Sequence, residues 1–165
     1  MDHQHTNNPA AGHGRAQHHN HYGRLYLMAA LSFVAMFILM YAMVDRFENV
    51  FVNLNQVYMA GLMAAPMVVI EIMLMAMMYP DKKKNTIIVI VSLVAGVSFW
   101  MLIRQQAAIG DAQFLRSMIP HHAGAVLMCE RLNAQEPEIK QLCGGIVRSQ
   151  KAEIEQMKAL IEKVN

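Results

Sequence analysis

Three stretches of this chain hold almost no charge over the length needed to cross a lipid bilayer, and nothing else in the sequence restricts its fold as strongly. Residues 25–44 (LYLMAALSFVAMFILMYAMV) contain no charged side chain. Residues 57–79 (VYMAGLMAAPMVVIEIMLMAMMY) contain one acid, Glu71, and one proline, Pro66. Residues 86–103 (TIIVIVSLVAGVSFWMLI) again have no charge. A helix rises about 1.5 Å per residue, so about 20 residues cover the roughly 30 Å hydrocarbon core. Inside lipid a backbone must pair its own polar groups, which a helix does. The sequence therefore predicts three transmembrane helices. Asp45, Arg46 and Glu48 end the first run, and Pro80-Asp81-Lys82-Lys83-Lys84-Asn85 reads as a polar turn between the other two. Trp100 lies near the end of the third span, where an interfacial aromatic is favoured.

Ahead of the spans, residues 1–24 are polar, with histidines at His3, His5, His13, His18, His19 and His21. They show no apolar period and read as a disordered tail. They do not read as a secretory signal, because the polar stretch is too long and no small-residue cleavage site precedes a soluble domain. The histidines are either a weak metal-binding tract or a plain polar leader. Arg15, Arg24 and three lysines of the second loop outnumber Arg46 and Arg104, five against two. Basic loops stay in the cytoplasm. The expected topology is an inner-membrane protein with a cytoplasmic N-terminus and an extracytoplasmic, periplasmic C-terminal part. A net charge of +2 argues against a nucleic-acid partner.

After Gly110 the pattern becomes amphipathic. Asp111 is a plausible N-cap for a helix over about 112–133. Its apolar face is Phe114, Leu115, Met118, His121, Ala125, Met128, Cys129 and Leu132. Asn133–Pro137 is a short turn, and Pro137 suits the first turn of a second helix over about 137–163. That helix has the face Ile139, Leu142, Cys143, Ile146, Gln150, Ile154, Met157 and Ile161. The fold class is all-α: three transmembrane helices followed by a soluble antiparallel helical hairpin. Two helices alone bury little core. The hairpin is expected either to form a homo-oligomer, as a four-helix bundle, or to dock on the membrane part.

The run Met118-Ile119-Pro120-His121-His122 carries the candidate chemistry. Met118, His121 and His122 are three and four residues apart and share one turn. Pro120 lacks an N–H and frees the Arg116 carbonyl, so it is expected to bend the helix and aim these side chains. Folding the hairpin back sets His121 opposite Gln150, Met118 opposite Glu153 and Phe114 opposite Met157. Met118, His121, His122, Met128, Gln150, Glu153 and Met157 then form one cluster. Thioether and imidazole suit copper(I) or silver(I), while imidazole and carboxylate suit zinc. A surface histidine pair with ordinary packing methionines is the plainer alternative. Cys129 and Cys143 fall at similar heights on facing helices. They are a disulfide, a pair of soft ligands, or two small core residues.

In the second span, Met59, Met63, Met67, Glu71, Met75 and Met78 follow at steps of four and then three. Such a row wraps around a helix. An ionisable residue within a span is a functional candidate, since its charge is costly in hydrocarbon. Glu71 is therefore either functional or close enough to the interface to snorkel. Ser92 and Gly96 make a small-xxx-small pair that favours close helix packing.

The stretches FLRSMIPHHAGAVLMCERL and EIKQLCGGIVRSQKAEIEQMKAL resemble a bacterial, ferritin-like family catalogued as domain of unknown function 305. The matching residues are Asp111, Phe114, Leu115, Met118, Ile119, Pro120, His121, His122, Met128, Gln150, Glu153, Ile154 and Met157, within residues 111–163. The resemblance implies half of a ferritin-like four-helix bundle. Some members are similar to periplasmic copper-binding proteins of copper resistance. It thus implies copper(I) as cofactor, with silver(I) or zinc as alternatives, and Met118, His121, His122, Met128 and Met157 as ligands. Many members carry two such hairpins; this chain has one. Three functions stand open. The first is a membrane-tethered metal-binding protein without enzymatic activity. The second is a Ctr-like copper transporter using the methionines and Glu71 of the second span. The third is a structural membrane protein whose hairpin mediates assembly.

Overall fold

The computed structural model describes residues 13–164, with side chains from residue 21 onward. Among the described residues it is all helical: α1 (His13–Leu39), α2 (Leu54–Leu74), α3 (Lys82–Gln105), α4 (Asp111–Arg131) and α5 (Pro137–Val164). Three helices, within His21–Met43, Leu54–Leu74 and Lys82–Gln105, are long and apolar enough to cross a membrane.

The helix ends differ from the sequence reading, and each has a local cause. α1 begins at His13, so residues 13–24, expected in a disordered tail, are helical. Extending a nucleated helix costs little per residue. Residues 1–12 of that tail lie outside the described residues. α2 stops at Leu74 instead of Tyr79 and gives way to a 3-10 turn over Ala76–Met78. Pro80 disfavours helical backbone in the residue before it, and Tyr79 sits at φ −111°, ψ 84°. α3 starts earlier than expected because Asp81 caps it, accepting from the Lys84 N–H at 3.1 Å. In α4 the N-cap is Gly110, and Asp111 is instead the first helical residue, where an acid favours the helix dipole.

α2 lies between α1 and α3 and packs against both. Gly61 makes the α2–α3 approach feasible, since a Cβ there would fall 2.5 Å from the Phe99 ring. Gly96 of the small-xxx-small pair faces Ala65. At one end Tyr22, Leu25, Ile72 and Tyr79 form a buried cluster joining α1 to α2.

α4 and α5 lie against each other and are antiparallel, with His122 opposite Glu153 and Cys129 opposite Cys143. Their core is Leu115, Ile119, Ala123, Val126, Ile154, Met157 and Ile161, and Val44 and Phe51 of the first loop pack onto it. The pair therefore docks on the first loop and α2 of the apolar helical part, one of the two arrangements expected.

Asn53 organises that docking. Its Oδ1 accepts from the Gln56 N–H at 2.9 Å and so caps α2. Its Nδ2 donates to the carbonyls of Phe51 (2.9 Å) and Arg116 (3.5 Å). The Arg116 carbonyl is the one Pro120 frees by lacking an N–H. The proline thus opens an acceptor for the first loop, a use the sequence reading did not foresee. Gln113 Oε1 adds a bond from the Leu54 N–H at 3.0 Å. We expect Asn53→Ala to cost about 2 kcal/mol, combining a lost cap with buried polar groups left unmatched. Thermal unfolding of the full chain in detergent micelles checks this, and a loss below roughly 0.5 kcal/mol would contradict it.

Candidate metal site on the α4–α5 pair

The inward face of α4 is rotated by one residue from the expected one. Leu115, Ile119, His122, Ala123 and Val126 are buried, whereas Phe114, His121 and Met128 are exposed. The rotation follows from docking. α4 is covered by α5 on one side and by the first loop on the other, so the arc that packs best includes Ile119 and Gly124, whose Cβ position looks onto the Met43 carbonyl.

His122 is the centre of the site. Its Nδ1 lies 2.9 Å from the Met118 carbonyl, one turn back on the same helix. A carbonyl only accepts, so Nδ1 carries a hydrogen and donates it. Nε2 then faces Glu153 Oε2 at 2.8 Å. A bare ring nitrogen and a bare carboxylate oxygen would repel at that distance, so the pair holds one hydrogen between them. A cation in its place would find two lone pairs converging on it. Fixing one ring nitrogen on a backbone carbonyl is also how proteins orient imidazole ligands toward metals. Met118, half-buried, packs against the cluster that contains Met157, which brings two thioethers to the same region.

The rest of the expected cluster is dispersed. His121 is exposed, its ring 6.2 Å from that of His122 with the planes 62° apart. Met128 is exposed and Gln150 is half-buried. Among the described residues, no three His, Cys, Asp or Glu side chains converge on one point. The site within one chain is thus His122 and Glu153, with sulfur available only from methionine. Cys129 and Cys143 are joined as a disulfide nearer the turn. An exposed ion pair, Lys151 to Glu130 at 2.6 Å, also links the helices and contributes little.

A family model described as domain of unknown function (DUF305) matches residues 101–161. "Uncharacterized protein L153" of Acanthamoeba polyphaga mimivirus is 34% identical over 142 residues, covering 84% of this chain and 91% of that protein. This chain belongs to the DUF305 family. The likeness to the viral protein is longer than the DUF305 segment, so it reaches into the long apolar helices as well. The DUF305 segment itself takes in the end of α3, all of α4 and most of α5. No solved structure matches the chain.

The candidates in the second span separate from the DUF305 segment. Glu71 lies in the last turn of α2, half-buried, and accepts from the Tyr79 hydroxyl at 3.5 Å. Met59 and Met63 are exposed on α2, whereas Met67 is half-buried. The core role of Ile119 and Val126 and the docking role of Asn53 are not legible in the sequence. The only available signal for Asn53 was an amide just before an apolar helix.

Proposed function

We propose that this DUF305 protein is a membrane-tethered metal-binding protein, without enzymatic activity, that buffers copper(I) or silver(I). The observation that carries the reading is the His122 ring, fixed on the Met118 carbonyl with its other nitrogen 2.8 Å from Glu153. The donor chemistry fits the proposed ion. His122 supplies imidazole, and Met118 and Met157 supply thioethers, a set suited to copper(I). Glu153 would hold a harder ion such as zinc. His121 and Met128 lie on an outward stripe with Phe114 and Leu132, all exposed. On this reading a second hairpin covers that stripe, completes a ferritin-like four-helix bundle as a homo-oligomer, and brings His121 and Met128 in as further ligands.

The proposed location is the inner membrane, with the N-terminus cytoplasmic and the α4–α5 pair extracytoplasmic. The lysine distribution supports it, and so does the Cys129–Cys143 disulfide, since such bonds persist in oxidising compartments. The transporter reading gains no comparable support, because Glu71 is half-buried and accepts from the Tyr79 hydroxyl of the same chain.

The test is a copper(I) titration of the full chain in micelles against a chromogenic competitor. His121→Ala combined with His122→Ala is expected to weaken binding tenfold or more, about 1.4 kcal/mol. Unchanged affinity would overturn the assignment. Glu153→Gln separates the metals: it should leave copper(I) affinity intact and weaken zinc.

A further inference from the structure

We propose that the turn between α2 and α3 is a binding surface for anionic phospholipid headgroups, with Lys82, Lys83 and Lys84 as the cations that hold the lipid phosphate. All three lysines are exposed. Among the described residues, none of them forms an ion pair with a carboxylate. The first turn of α3 contains no acid. The Asp81 carboxylate caps the helix just ahead of them, yet three consecutive cations still repel one another and oppose the positive end of the helix dipole, so a further anion is favoured there. The backbone that presents them is already held in place. The Tyr22 hydroxyl donates to Asn85 Oδ1 at 2.7 Å, Asn85 Nδ2 donates to the Tyr79 carbonyl at 2.7 Å, and the Lys84 ammonium lies 5.4 Å over the Tyr22 ring. Little ordering is therefore left for the ligand to impose.

The neighbouring residues identify the anion. Met73, Leu74 and Met77 are exposed just ahead of the lysines, and Met77 is fully so. A free phosphate offers those side chains nothing. A phospholipid supplies a phosphate to the lysines and acyl chains to the methionines and leucine at the same boundary.

The experiment is thermal unfolding of the full chain in micelles, titrated with phosphatidylglycerol, phosphatidylcholine or inorganic phosphate. Phosphatidylglycerol is expected to stabilise the protein at a concentration at least tenfold below that of phosphatidylcholine, and phosphate should have no effect. The preference should shrink at high salt, because exposed charges are screened. Lys82→Gln, Lys83→Gln and Lys84→Gln together should abolish it, whereas three Lys→Arg changes should preserve it. Equal response to both lipids, a preference that survives the glutamines or high salt, or stabilisation by phosphate alone overturns the proposal. If the glutamine variant does not fold, the salt dependence of the unaltered protein still decides.

Discussion

Replacing Cys129 and Cys143 together by serine is expected to lower the stability of the α4–α5 pair by about 3 kcal/mol. The bond closes a segment with a sequence separation of 14. In the chain-entropy view its removal returns that freedom to the unfolded state. Little else restrains this end of the pair. Leu132, Ile139 and Leu142 are exposed, so the apolar residues near the turn contribute scant burial. The core begins further along, at Val126 and Ile154. The loss should therefore be local. Hydrogen exchange of the full chain in micelles should show amides near the turn exposed in the serine variant, with protection at Leu115–Val126 largely kept. Matching exchange near the turn in both proteins would show that the bond adds nothing.

Ile119→Ala is expected to cost about 3 kcal/mol, within the usual range for deleting buried methylenes. Ile119 is entirely buried, in one cluster with Ile154, Met157 and Ile161 of α5, and Val44 and Phe51 of the first loop pack against that cluster. A cavity there loosens two interfaces at once. Leu142→Ala serves as the control, because Leu142 is 62% exposed and its loss should cost well under about 1 kcal/mol. Thermal unfolding measures both. Limited proteolysis in the turn at residues 106–110 adds a second readout, with faster cutting expected for Ile119→Ala. Equal stability of the two variants would contradict the packing described.

The three long apolar helices were legible from sequence because a helix fit to cross a bilayer has a set length and composition. Their ends were less so, since Pro80 and Asp81 act through backbone geometry and capping. The antiparallel pairing of α4 and α5 was also legible, down to Cys129 facing Cys143. Which stripe of α4 turns inward was not. Phe114, His121 and Met128 recur at the same spacing as Leu115 and His122, so periodicity cannot choose between them. The choice is made by Val44, Phe51 and Asn53, far upstream in the chain. For the same reason the fold-back count set Met118 opposite Glu153 and His121 opposite Gln150, whereas His122 meets Glu153 and His121 turns outward.

The tie between Asn53 and the Arg116 carbonyl, with the short connection from Gln105 to Asp111, leaves the α4–α5 pair no tether on which to swing. On the proposed reading it stands as a fixed post beside the bilayer, and an ion held at His122 travels only where the membrane carries the post. Its encounters with other membrane proteins become a search across a surface instead of through a volume.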